Sequence, residues 1–320
     1  MYTGMIFAFV FVFIVCALGT LVTTAIFRFF GKRGYLGNLF PNVRGGIPRG
    51  VGLVPFIMLA FYLLSEFSDL VLIIGISAFI DDIIGRRKLK FLNLEIGQLS
   101  RGIGMILVIA VGFYYDFGLS SILIAFLIQP MNISDMQPGS CVMVTVIMSV
   151  ITIICMLIAG TAPVHELPAT YTPLLLLVVC LAYCPLDFMG KIMLGEVGNH
   201  VFAICLGVSF YLIGGFVSTL LLSIVTVFLI AFVRRNTLRA FFRTNLGIFN
   251  PTFGDFVMDV LTGGGLGDFL RKIILRDKQI TVENDLLIKL GFRRLLYNPH
   301  ALYSKVVVSD KKIPYLRKGG

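Results

Sequence analysis

Two adjacent aspartates, Asp81 and Asp82, lie in Ala78-Phe79-Ile80-Asp81-Asp82-Ile83-Ile84-Gly85, directly after an apolar run. Two later runs also end on acids. Asp135 follows one in Asn132-Ile133-Ser134-Asp135-Met136-Gln137-Pro138-Gly139, and Glu196 follows another in Gly195-Glu196-Val197-Gly198-Asn199. Carboxylates gathered from three separate connections supply hard oxygen ligands, which suit Mg²⁺ (or Mn²⁺) held together with substrate phosphates. Glycines around Glu196 let the backbone approach a phosphate closely. Arg44 and Arg49 lie among four glycines in Asn42-Val43-Arg44-Gly45-Gly46-Ile47-Pro48-Arg49-Gly50-Val51-Gly52. That stretch could cradle a diphosphate or anchor the chain at a lipid surface. Together these groups describe phosphoryl chemistry, in which catalysis is mostly positioning plus charge neutralisation. The plainer reading of the aspartate pair is that it ends a helix ahead of Arg86, Arg87 and Lys88.

The elements that must hold these residues are set by composition. The 320 residues are 58% hydrophobic and 14% charged, with mean hydropathy +0.94. Soluble domains run at about 45–50% apolar and about 25% charged, and a single soluble core stops growing at roughly 250–300 residues. A water-soluble enzyme, a disordered chain and a disulfide scaffold are excluded. The reading is an all-α polytopic membrane protein. A spanning helix needs about 20 apolar residues, and residues 5–27 and 141–160 are runs of that size. The first reads as a retained anchor, not a signal peptide, because Arg28, Lys32 and Arg33 follow at once. Shorter runs cover 51–64, 70–80, 102–115, 119–131 and 173–184. The run 201–232 is too long for one pass and is interrupted at Gly214-Gly215, so it reads as a hairpin. The expected total is nine spans.

Charge orients them. Alternate connections carry Arg28/Lys32/Arg33/Arg44/Arg49, Arg86/Arg87/Lys88/Lys90/Arg101, Lys191 and the basic tail, whereas 65–69, 116–120 and 161–172 contain no Lys or Arg. The positive-inside rule then puts the N-terminus outside and the C-terminus inside. Asp81, Asp135 and Glu196 all fall on the inner side, at headgroup depth. Two aspartates at the bilayer centre would cost roughly 5–7 kcal/mol, so the pair belongs at the inner rim, beside a water-filled recess. Two domains are expected: a transmembrane domain over 1–232 and a basic cytoplasmic tail over 233–320. From Arg234 onward the tail carries 16 basic and 7 acidic residues. Its Leu266, Phe269, Leu270, Ile273 and Ile274 recur at helical spacing, as in an amphipathic helix on the inner leaflet or one packed on the tail's own small core. The interleaved apolar residues favour a membrane surface over nucleic acid as partner. The six cysteines lie in or beside apolar runs and read as small hydrophobes.

These motifs resemble those of the polyprenyl-phosphate N-acetylhexosamine-1-phosphate transferases over roughly residues 44–207. Asp81-Asp82 matches the family's aspartate pair after the third span, and Asn132, Asp135 and Pro138-Gly139 match its Asn…Asp…Pro-Gly loop. Gly195-Glu196-Val197-Gly198 matches its Gly-Asp-x-Gly element, and Ile47-Pro48-Arg49-Gly50 its early Pro/Gly loop. The resemblance implies a plasma-membrane enzyme with its active site on the cytoplasmic face. It would transfer a sugar 1-phosphate from a UDP-sugar to a polyprenyl phosphate and release UMP, with Mg²⁺ required. It further implies that Asp81 deprotonates or orients the lipid phosphate. Asp82 and Glu196 would lie near the metal, Asn132 and Asp135 near the nucleotide, and Arg44 or Arg49 near phosphate. Lys191 and His200, in the Glu196 loop, join the candidate substrate contacts; a packed role for His200 is the alternative. A homodimer is an admitted assembly.

Three positions depart from the family pattern. Glu196 replaces an aspartate, the second loop reads Pro138-Gly139-Ser140 where Pro-Gly-Arg is usual, and the late histidine-rich loop has no counterpart, since the histidines are His165, His200 and His300. The alternative reading is therefore a catalytically degenerate relative that binds lipid phosphate or acts as a scaffold. Gly263-Gly264-Gly265-Leu266-Gly267 lacks a preceding strand and reads as a turn, not a dinucleotide loop.

Overall fold

The computed structural model describes residues 2–43, 45–85, 88–89, 94–298, 301, 305–308 and 311–314. Arg44, Arg86, Arg87, Lys90 and His300 lie outside the described residues. Helices α1 (Tyr2–Gly31), α2 (Leu53–Tyr62), α3 (Ser65–Ile84) and α4 (Ile96–Tyr114) are followed by the short α5 (Ser120–Phe126) and α6 (Ile128–Ser134). Then come α7 (Ser140–Ala159), α8 (Tyr171–Phe188) and α9 (Gly195–Val233). Beyond these are α10 (Arg235–Phe241), α11 (Phe253–Thr262), α12 (Gly265–Leu275), α13 (Asp285–Lys289) and α14 (Phe292–Leu295). Two short helical turns, Gly37–Leu39 and Phe242–Leu246, and two small antiparallel strand pairs complete the described elements: β1 (Lys88–Leu89) with β2 (Leu94–Glu95), and β3 (Lys305–Val308) with β4 (Lys311–Pro314).

The protein is α-helical and built to meet lipid. Five helices, α1, α4, α7, α8 and α9, are long and apolar enough to cross a membrane. On α1, Ile6, Phe7, Leu18 and Val22 are all exposed, as expected where the surrounding solvent is hydrocarbon. Other expected spans are shorter or more polar. The 10-residue α2 covers about 15 Å, and residues 119–131 form two short helices that meet at Leu127. The 20-residue α3 is long enough but carries Glu66, Asp69, Asp81 and Asp82. The count of nine thus also needs α2, α3, the α5–α6 pair and both arms of α9. Within α9, Gly215 has φ +69°, and the Ser218 hydroxyl donates to the Phe210 carbonyl at 2.7 Å. Eight residues of straight helix would advance about 12 Å, so the chain turns sharply at the glycine pair.

The chain divides into two compact units, Met1–Thr226 and Val227–Gly320. In the first, α3 packs on α2 and α4, and α8 packs on α1, α2 and α7. Small residues allow the close approach: Gly75 faces the Phe56 ring, Gly104 faces Ser77 and Ile74, and Gly112 faces Ser121, with no room for a Cβ at any of them. Five hydroxyls inside apolar helices are satisfied by their own backbone. Thr20, Thr24, Thr145, Thr152 and Ser209 each donate to the carbonyl four residues earlier. In the second unit, Thr252 and Asp255 form a capping box that starts α11. Arg293 and Arg294 pair with Asp255 (2.6 Å) and Asp259 (2.5 Å), joining α14 to α11. The expected amphipathic segment is α12. Its Leu270, Ile273 and Ile274 are exposed, while Arg271 turns inward and donates to the Thr262 carbonyl at 2.9 Å.

Candidate functional site

Helices α3 and α4 run antiparallel and are fastened at both ends. At one end the Tyr115 hydroxyl donates to Asp69. At the other, Arg101, in the second turn of α4, donates from Nη2 to Asp81 Oδ2 at 3.1 Å. Gly85 and Gly97 make room for Asp81, because a Cβ on either would overlap its carboxylate. The Gly97 N–H donates to the Gly85 carbonyl at 3.1 Å and closes that end of the pair.

The loop ahead of α2 lies against the start of α9. Met193 N–H donates to the Pro48 carbonyl (2.8 Å), and Gly52 N–H to the Leu194 carbonyl (3.0 Å). This pairing lays Arg49 across the first turn of α9. Gly195, at φ +77°, starts that helix where a Cβ would lie 2.6 Å from Asp82 Oδ2 and 2.7 Å from Gly50 Cα, so only glycine fits without displacement.

Asp82 is wholly buried and accepts from the backbone N–H of Glu196 and of Val197, both at 3.0 Å. These are orphan donors of the first turn of α9, so a carboxylate 114 residues away in sequence caps the helix and meets the positive end of its dipole. Arg49 Nε adds an ion pair with Asp82 at 3.1 Å. Glu196 is the hub. It is approached by Arg49 Nη2 (3.2 Å), Arg101 Nη2 (2.9 Å) and His200 Nε2 (3.2 Å). With its amide oriented so that both ends are satisfied, Asn132 donates to Glu196 Oε2 (3.2 Å) and accepts from Arg101 Nη1 (2.6 Å). One turn into α9, Asn199 donates to Asp135 Oδ2 at 3.4 Å. Burial works against the charge on Arg49, yet Asp82, Glu196, Asp81 and Asp135 outweigh it and hold the guanidinium above its ordinary range. Four buried polar atoms here, Arg101 Nε, His200 Nδ1, Asn199 Oδ1 and Tyr183 OH, have no partner among the described residues.

No family model and no curated protein matches the chain. What the site can do therefore follows from its geometry.

Of the residues singled out from sequence, Arg49, Asp81, Asp82, Asn132, Glu196 and His200 form one connected cluster, while Asp135 is bonded to Asn199, one turn along α9 from Glu196, and acts on Arg49 through its charge. Lys191 stands apart: its side chain is exposed, and its carbonyl accepts from Arg28 at 3.1 Å. Arg44 is outside the described residues. Sequence reasoning passed over Arg101 and Asn199. In the sequence Arg101 reads as part of the positive-inside pattern, although it immediately precedes the apolar run 102–115, where a charge demands a partner. Asn199 carried no separate signal.

The cluster does not fit Mg²⁺ or Mn²⁺ held by Asp82 and Glu196. Both Asp82 oxygens are already bound by N–H groups. Arg49 lies between Asp82 and Glu196, and Arg101 between Asp81 and Glu196, where a shared cation would have to sit. Among the described residues, no group of three or more His, Cys, Asp or Glu side chains could hold a metal ion. In this structure the three carboxylates are paired with guanidinium groups.

Proposed function

We propose that the chain transfers a sugar 1-phosphate, N-acetylhexosamine 1-phosphate by resemblance, from a UDP-sugar to a polyprenyl phosphate. The reaction would run at the cytoplasmic face of the plasma membrane, within a nine-span chain whose N-terminus is outside. The observation that carries this reading is the meeting of Asp81, Asp82 and Glu196 with Arg49 and Arg101 at one point, from four separate segments. In the reaction an oxygen of the lipid phosphate attacks the β-phosphorus of the UDP-sugar. A new P–O bond forms, the bond from the β-phosphorus to the bridging oxygen breaks, and UMP leaves with that oxygen. Asp81, released from Arg101, takes the proton of the lipid phosphate. Arg49 and Arg101 neutralise the phosphate oxygens, where guanidinium forks act as bidentate donors. Asn132 and His200 hold Glu196 in place while its arginines engage substrate.

The test is UMP release and lipid-product formation by the purified chain in nanodiscs with polyprenyl phosphate and a panel of nucleotide sugars. Turnover that falls about 10²-fold or more in Asp81→Asn is expected. Absence of product from every sugar, with well-folded protein, rejects the reading. A second reading, a lipid-phosphate-binding scaffold without turnover, is favoured by one observation: each carboxylate of the trio is already paired with an arginine. Lipid-phosphate binding without turnover would support it.

A further inference from the structure

We infer that Arg49 and Arg101 stand in place of a divalent ion, so that the site binds a phosphate monoester or diphosphate through guanidinium groups alone. The natural identity of that phosphate rests on the function proposed above; the binding chemistry does not. Each arginine spans two carboxylates, Arg49 joining Asp82 to Glu196 and Arg101 joining Asp81 to Glu196. Two fixed positive charges thus occupy the gaps between three negative ones. A divalent cation entering either gap would meet a guanidinium a few ångströms away in a medium that screens poorly, and would have to expel it. Asp82 could not help, since it is wholly buried and its release would uncap α9.

An anion finds the opposite situation. Arg101 offers up to five N–H donors, and its Nε is buried without a partner among the described residues. An N–H kept dry and unbonded costs free energy until an acceptor arrives. Arg49 supplies a second fork on the far side of Glu196. When phosphate takes these donors, Asn132 and His200 still face Glu196 at 3.2 Å each and limit the cost of its partial release. Arg101 is therefore a phosphate-binding residue, not merely a marker of membrane orientation.

The experiment uses the full chain in nanodiscs, with polyprenyl phosphate in the bilayer in one arm and soluble UDP in the other. Each arm is measured in EDTA and in Mg²⁺ by thermal shift and ³¹P NMR, and Mn²⁺ binding is followed separately by EPR. The expected results are phosphate affinity in EDTA within about twofold of that in Mg²⁺, and no saturable Mn²⁺ signal without phosphate. Affinity should fall about tenfold to a hundredfold in Arg101→Gln, since hydrogen bonds to charged groups are the strong ones. Arg101→Lys, which keeps the charge and loses the fork, should fall between. Should Arg101→Gln not fold, the lysine variant and the wild-type EPR titration still decide. Saturable Mn²⁺ binding that disappears in Glu196→Gln, or phosphate binding that collapses in EDTA, overturns the inference. Metal-free phosphate binding without sugar transfer would defeat the proposed reaction and leave this inference standing. Sugar transfer with an obligatory, EPR-visible metal would do the reverse.

Discussion

Asp82 illustrates how one side chain can carry two loads. It caps α9 and neutralises Arg49 while fully buried. Removing one partner of a buried pair typically costs about 3–5 kcal/mol, because the other charge is left stranded. Asp82→Ala should therefore unfold at markedly lower denaturant than wild type in SDS titrations of purified protein. Asp82→Asn retains an acceptor for one α9 amide and should lose roughly 1–3 kcal/mol. Equal stability for all three proteins would remove the capping role. The site's acids were legible in the sequence because a carboxylate beside an apolar run is conspicuous. The division of labour among them was not: whether Asp82 meets metal or backbone depends on where Glu196 and Val197 arrive, and that is decided by packing between helices far apart in sequence.

At the scale of elements, the helices themselves were legible from apolar runs and glycine breaks. The run 141–160 became α7, and the Gly214-Gly215 interruption became the sharp turn in α9. Less legible were the ends. Helix α9 begins six residues before its apolar run because the Asp82 carboxylate supplies the missing cap. Residues 119–131 broke into two helices, with Pro130 removing a backbone donor in the second. In the C-terminal unit the Arg294–Asp259 pair plays the part that apolar packing plays elsewhere; both side chains are almost fully buried. Asp259→Ala should destabilise that unit by about 3–5 kcal/mol. Hydrogen exchange should then show faster exchange in α11 and α14, with the amides of α3 and α4 unchanged. Uniform protection across the variant would sink the prediction.

For the whole molecule, the apolar excess pointed correctly to an α-helical chain with helices able to cross a membrane. Orientation is a further claim, and it has a direct test. Cys155 and Cys184 are the cysteines with partly accessible surface, the other four being buried. In a background with both changed to serine, Asp116→Cys should react with an impermeant maleimide in intact cells. Lys191→Cys should react only after permeabilisation. The reverse pattern would invert the topology, and equal labelling of both would refute the alternation of loops.

The capping of α9 by Asp82 has a practical consequence for anyone wanting an inert version of this protein. An aspartate from a paired motif is the customary choice for a dead control, yet altering this one loosens the start of the helix that carries Glu196, Asn199 and His200. A silent Asp82 variant would report collapse of the scaffold as readily as loss of chemistry. Asp81, which touches Arg101 and two glycines and caps nothing, is the position at which the two outcomes can be told apart.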